Sequence, residues 1–187
     1  MIDPIVTEGA PVLRQKAKDV PKSQFSTAEL ADMIARMSAS LRTTHNGVAI
    51  AASQIGISYR IFVVAGFVIA GHERNLEDPD MPFINPKLVR HSRKKMPMEE
   101  GCLSVPKMYG MVERSLKAAV RAQDPAGKKF EYHGTDLLAQ IFQHECDHLD
   151  GILFIDKATD LHKHEPKDRY VSSEASAKED EAPDEKA

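Results

Sequence analysis

Residues 144–148 read His-Glu-Cys-Asp-His within a segment whose apolar residues recur at helical spacing, and no other stretch constrains the fold as strongly. Leu138, Ile141, Phe142 and Leu149 share roughly one side of a helix predicted from a cap at Thr135 to about Leu149, with Gly151 as its stop. At 3.6 residues per turn, His144 and His148 stand one above the other, and Glu145 lies about 100° around the helix from His144. A helix with an apolar face is buried on that face. Two imidazoles and a carboxylate carried into the interior need partners, and a metal ion is one. Two histidines at this spacing can share a metal, while the glutamate can reach a water at the open position as general base. The same five-residue pattern also arises by chance on solvated helices, so the motif alone leaves that reading open.

A catalytic site of this kind needs a third protein ligand. The metzincin pattern places a histidine at position 154, which here is Phe154. A thermolysin-like site needs a downstream glutamate on a second helix. Glu165 lies beside Pro166 in a stretch without apolar periodicity and is a poor match. Upstream, Cys102 follows Glu99-Glu100-Gly101 at a polar-to-apolar transition and can supply a thiolate. A free cysteine is more often a small core residue. Cys146 fits that second description better, because it points to nearly the opposite side of the helix from His144.

The rest of the chain predicts one catalytic domain over residues 1–161 and a charged, solvating tail over 162–187, where apolar residues become scarce. Three prolines leave little room for helix in residues 1–25. Ser26 and Glu29 have capping-box spacing, and Leu30, Met33, Ile34, Met37 and Leu41 follow on one face of a helix from about 27 to 43. Residues 60–65 and 83–89 read as strands, the second placed at an edge or strand end by Pro86. Residues 71–82 and the basic stretch 91–98 read as loops. Residues 116–123 and 129–133 flank the turn sequence Asp124-Pro-Ala-Gly127 and form a hairpin. The fold class expected is α+β, with small antiparallel sheets packed around a central helix carrying the metal motif.

Two cysteines make no disulfide framework for 187 residues and fit a reducing compartment. The formal charge of −3 gives no reason to expect direct nucleic-acid binding. No apolar run approaches the ~20 residues of a membrane span, and the N-terminal residues show no secretory or transit pattern. A cytoplasmic protein is expected.

Three separated segments, GVAIAASQIG (47–56), EEGCLSVP (99–106) and QHECDHLDG (143–151), together resemble the signature motifs of peptide deformylases, in that family's order and spacing. PVLRQKAKDV and FINPKL are similar to it as well, and the resemblance covers roughly residues 2–157. It implies removal of the formyl group from the N-terminal formylmethionine of newly made polypeptides, met at the ribosome. It implies one divalent metal on Cys102, His144 and His148, ferrous iron in the family, with zinc, nickel or cobalt able to substitute. Glu145 would move the proton from water to the leaving amine, and the Gln54 side chain and Leu103 N–H would stabilise the oxyanion. The substrate backbone would add as a strand against Gly47, Val48 and Ala49 and against residues 109–111, beginning at Tyr109. Val48, Met98, Leu137 and Ile141 are candidates for the methionine pocket. Ala49 departs from the motif, which usually has a second glycine there. If that position needs positive φ the alanine is strained; if it is extended the cost is small. An HExxH metallopeptidase and a non-catalytic binder of metal or formylated N-termini are the alternatives, the last resting on Ala49 alone.

Overall fold

The structure, a computed structural model, describes residues 2–163. It is built from three α-helices, α1 (Ala28–Arg42), α2 (Gly66–Ala70) and α3 (Asp136–Leu149). Its eight strands are β1 (Ala49–Ala51), β2 (Ile61–Val64), β3 (Met81–His91), β4 (Lys95–Cys102), β5 (Val105–Ser115), β6 (Lys117–Gln123), β7 (Lys129–Thr135) and β8 (Thr159–Lys163). One antiparallel sheet has the order β1-β2-β3-β6-β7 and a second the order β4-β5-β8. The α+β class with small antiparallel sheets is as expected, and α3 packs against β1, β3, β5, β6 and β7.

Strand alternation explains the layering. β2 is buried throughout. Its Phe62 and Val64 join Phe83, Val120, Ile141, Phe142 and Leu149 between sheet and α3. Its Ile61 and Val63 join Leu30, Met33, Met37, Leu41 and Ile84 between sheet and α1. Phe62 and Phe83 stack at 4.7 Å, and Phe142 meets Phe83 at 5.3 Å, so aromatic packing fixes the height of α3 over the sheet. A third cluster, Leu13, Val105, Val112, Leu153 and Phe154, underlies the smaller sheet.

Several local expectations are corrected. The cap of α1 is Thr27, whose hydroxyl accepts from Leu30 N at 3.2 Å; Ser26 sits just outside at φ 63°. Thr135 precedes α3 without a side-chain cap bond. The basic stretch 91–98 is mostly strand: β3 runs to His91 and β4 starts at Lys95. Pro97 is tolerated there because β4 is an edge strand of its sheet. Pro86 marks no edge. β3 is the central strand, and the proline falls in a register shift between Ile84 and Lys87, beside Asn85 at φ 49°. The boundary drawn at residue 161 cuts β8, which extends to Lys163 and pairs with β5. The remainder of the tail, 164–187, lies outside the described residues.

The end of α3 is held tightly. Leu149 O accepts from Ala17 N at 2.9 Å and from Arg60 Nη1 at 3.1 Å, and Arg60 also reaches Asp150 at 2.7 Å. Gly151 turns the chain at φ 78°, where an added Cβ would lie 2.6 Å from Arg14 O. Gly151→Ala is therefore expected to lower unfolding stability by about 1–3 kcal/mol, from left-handed strain alone. Equilibrium urea denaturation checks this; an unchanged midpoint would contradict the packing described.

Candidate metal centre and its cleft

α3 and the end of β4 bring the sequence-selected donors together. Cys102 Sγ and one ring nitrogen each of His144 and His148 all lie within 4.8 Å of one another. The His148 Nε2 is 3.1 Å from Cys102 Sγ. His144 directs Nδ1 to Glu100 Oε2 at 2.9 Å, which leaves Nε2 for the cysteine. A histidine whose second nitrogen rests on a carboxylate is the usual arrangement of a metal-ligating imidazole.

Glu100 and Arg114 were not singled out by the sequence, yet they hold this arrangement. Arg114 Nε and Nη2 donate to the two Glu100 oxygens at 2.7 and 3.0 Å, and Nη1 donates to Asp147 at 2.7 Å. Lys157 Nζ also reaches Asp147, at 2.7 Å. Burial disfavours ionised Glu100, but the hydrogen bonds from His144 and Arg114 outweigh it and bring its carboxyl down to about 2. A glutamate two residues before a candidate ligand was a signal that could have been followed. Arg114 offered none, because its partners are distant in sequence.

The thiols differ sharply. Burial opposes ionisation of Cys102, but the field of His148 and the hydrogen bond from His144 prevail and bring it down to about 5. The same cluster raises His144 well above the usual imidazole range against the effect of burial. Cys146 sits in the core under α3, and burial pushes its thiol up to about 12. Within this cluster two buried polar atoms have no hydrogen-bond partner among the described residues, Glu145 Oε2 and His148 Nδ1. Burial raises the Glu145 carboxyl, with the two histidines acting in the opposite direction. A low-pKa thiol, two imidazoles and a carboxylate with an unpartnered oxygen suit a divalent transition metal and its water.

Gln54 is buried, and its side-chain oxygen accepts from Ala51 N at 2.8 Å. That bond turns the amide nitrogen toward Ser104 Oγ at 3.2 Å and Cys102 Sγ at 3.5 Å. A cleft of about 540 Å³ opens over the cluster, walled by Gly47, Val48, Ala49, Gln54, Cys102, Leu103, Tyr109, Leu137, Ile141, His144 and Glu145, among others. His148 is buried and is not part of the cleft wall.

Met98 does not line this cleft; it pairs with Val112 in the smaller sheet. Residues 109–111 offer no strand edge either, since β5 is paired by β4 on one side and β8 on the other. The Tyr109 ring instead packs on Gly101, where an added Cβ would lie 2.5 Å from it. Among the described residues, the strands at the cleft with no neighbouring strand on one side are β1 and β4, and on β4 the Glu99 carbonyl accepts from Gln140 Nε2 at 2.9 Å. Ala49 lies in β1 and is not among the residues at positive φ, so it carries no left-handed strain.

The family model for polypeptide deformylase matches residues 2–164. The chain belongs to that family. The peptide deformylase of Desulforudis audaxviator is 40% identical over 165 residues, covering 85% of this chain and 95% of that protein. Peptide deformylase 2 of a Nostoc strain is 41% identical over 156 residues, covering 82% and 84%. Among solved structures, the Met-Ala-Ser-bound class I type b peptide deformylase of Acinetobacter baumannii superposes with a TM-score of 0.75 at 32% identity, covering 84% of this chain and 98% of that one. The Thermotoga maritima peptide deformylase gives 0.73 at 34% identity, covering 85% and 99%.

Two outcomes follow from the deformylase-family site. In metal-free protein, iodoacetamide should alkylate Cys102 with a rate that rises through pH ~5, where its thiolate forms, and should spare Cys146. Peptide mapping checks it; equal labelling would contradict the assignment. Glu100→Gln should weaken metal affinity by about 10–100-fold in chelator competition. Unchanged affinity would mean that the carboxylate does not orient His144.

Proposed function

We propose that this protein is a metal-dependent hydrolase that removes the formyl group from the N-terminal formylmethionine of newly made polypeptides, releasing formate. The observation that carries the reading is the convergence, in a peptide deformylase-family chain, of the Cys102, His144 and His148 donors beside a cleft with Glu145, whose Oε2 has no hydrogen-bond partner.

Cys102, His144 and His148 are the metal ligands in this proposal. A divalent ion held there, ferrous iron by preference and zinc, nickel or cobalt by substitution, supplies Lewis acidity and a lowered water pKa. Glu145 takes the proton from the attacking water. Burial favours the protonated form that it gains, and its Oε2 has no hydrogen-bond partner to displace. It then gives that proton to the amine nitrogen as the C–N bond breaks. The oxyanion accepts hydrogen bonds from Gln54 Nε2 and the Leu103 backbone N–H. The bond from Ala51 N holds the Gln54 amide in the donating orientation before substrate arrives.

The peptide enters as an added strand between the edges of β1 and β4, and Val48, Leu137 and Ile141 form the methionine pocket. The substrate pool is the nascent chain at the ribosome, in the cytoplasm. No helix among the described residues is long and apolar enough to cross a membrane. The extended Ala49 removes the strain on which the non-catalytic reading rested.

Anaerobically prepared ferrous protein should release formate from formyl-Met-Ala-Ser and leave its internal peptide bonds intact. Binding without formate would sink the proposal, and internal cleavage would favour a peptidase. Glu145→Gln should keep its metal and lose turnover on the order of 10²–10⁴-fold. Loss of metal in that variant would contradict the assigned role.

A further inference from the structure

One cation on the cleft wall has no part in the chemistry above. Arg74 lies on the segment between α2 and β3 and is half-buried. Its Nη2 donates to Thr44 O at 2.8 Å and its Nη1 to Gly47 O at 3.4 Å. Its guanidinium carbon lies 5.6 Å over the Phe67 ring. These contacts fix the group in place but are all with uncharged partners. Among the described residues no carboxylate forms an ion pair with it, whereas nearby Arg42 is paired with Asp80 at 3.1 Å. A held guanidinium with unused N–H groups and an uncompensated charge is a ready acceptor for a carboxylate.

Its position along β1 says which part of a substrate it meets. The reacting end of the cleft is the Gln54 end, because Gln54 follows β1 within three residues and touches Cys102. Gly47 and Thr44 lie at the opposite end. A peptide laid along the free edge of β1 with its formyl group at Gln54 runs antiparallel to β1. With methionine abreast of Ala49, its third residue comes abreast of Gly47, whose carbonyl Arg74 binds. Glu99, which also lines the cleft, is paired with His162 at 3.3 Å.

We propose that Arg74 is a specificity-determining residue that favours formylated chains with an acidic side chain at the third position. This rests on the deformylase reading, and the test separates the two. The full-length ferrous enzyme is assayed for formate release from formyl-Met-Ala-Glu, formyl-Met-Ala-Ala and formyl-Met-Ala-Lys. The glutamate peptide should exceed the alanine peptide in kcat/KM by about 2- to 5-fold, the size of a partly exposed ion pair. The gain should appear mainly in KM and shrink in high salt. The lysine peptide should fall below both. Arg74→Lys should keep the order, Arg74→Gln should level it and Arg74→Glu should reverse it. Arg74 also braces the chain before β1, so its loss can slow every peptide; that structural effect leaves the ratios unchanged and is read apart from them. Normal turnover of all three peptides at equal efficiency, or a preference that survives Arg74→Gln, overturns the specificity assignment alone. No formate from any peptide overturns the deformylase reading with it.

Discussion

Glu100 is 3% exposed and stays ionised only because Arg114 grips both of its oxygens while His144 donates to one of them. A buried carboxylate without such partners would cost several kcal/mol. The bonds that satisfy it also join β4, β5 and α3, since Arg114 goes on to Asp147 one turn along the helix from His144. The smaller sheet is thus locked to the motif helix by charge rather than by apolar packing alone. The lock sets the orientation of one imidazole, His144, whose hydrogen bond acts together with the field of His148 to favour the Cys102 thiolate.

The cleft is a consequence of the same docking. α3 lies on the larger sheet through the Phe62, Phe83 and Phe142 cluster. The Arg114 network then brings the edge of β4 toward the edge of β1, with Cys102 and His144 of the candidate metal cluster on the cleft wall. A groove walled by two strand edges presents backbone donors and acceptors, which recognise any peptide main chain. Selectivity must then come from the groove's blind end, where Gln54 and Glu145 wait, and from the few side chains on its rim.

The legible parts of the sequence were those governed by local rules. The 3.6-residue period gave α1 and α3, the Asp124–Gly127 turn gave the β6–β7 hairpin, and the divergence of Cys102 and Cys146 followed from helix geometry. Parts decided by long-range pairing were misread. Pro86 suggested an edge because proline cannot donate to a ladder, but a bulge beside Asn85 absorbs it in the middle of the sheet. Residues 91–98 looked like a charged loop because an exposed edge strand needs no apolar alternation. Met98 suits the methionine pocket by type, but it pairs with Val112 and does not line the cleft. Tyr109 does reach the cleft, but β4 and β8 already occupy both sides of its backbone. The Arg114 network was invisible because its worth arises only once three elements meet.

The central claim is that one thiolate and two imidazoles, set by this network, form the protein-derived coordination sphere of a single metal ion. X-ray absorption spectroscopy of the metal-loaded protein tests it directly. The account requires one sulfur and two imidazole nitrogens bound to one ion per chain. A first shell without sulfur, or with a single imidazole, would contradict it.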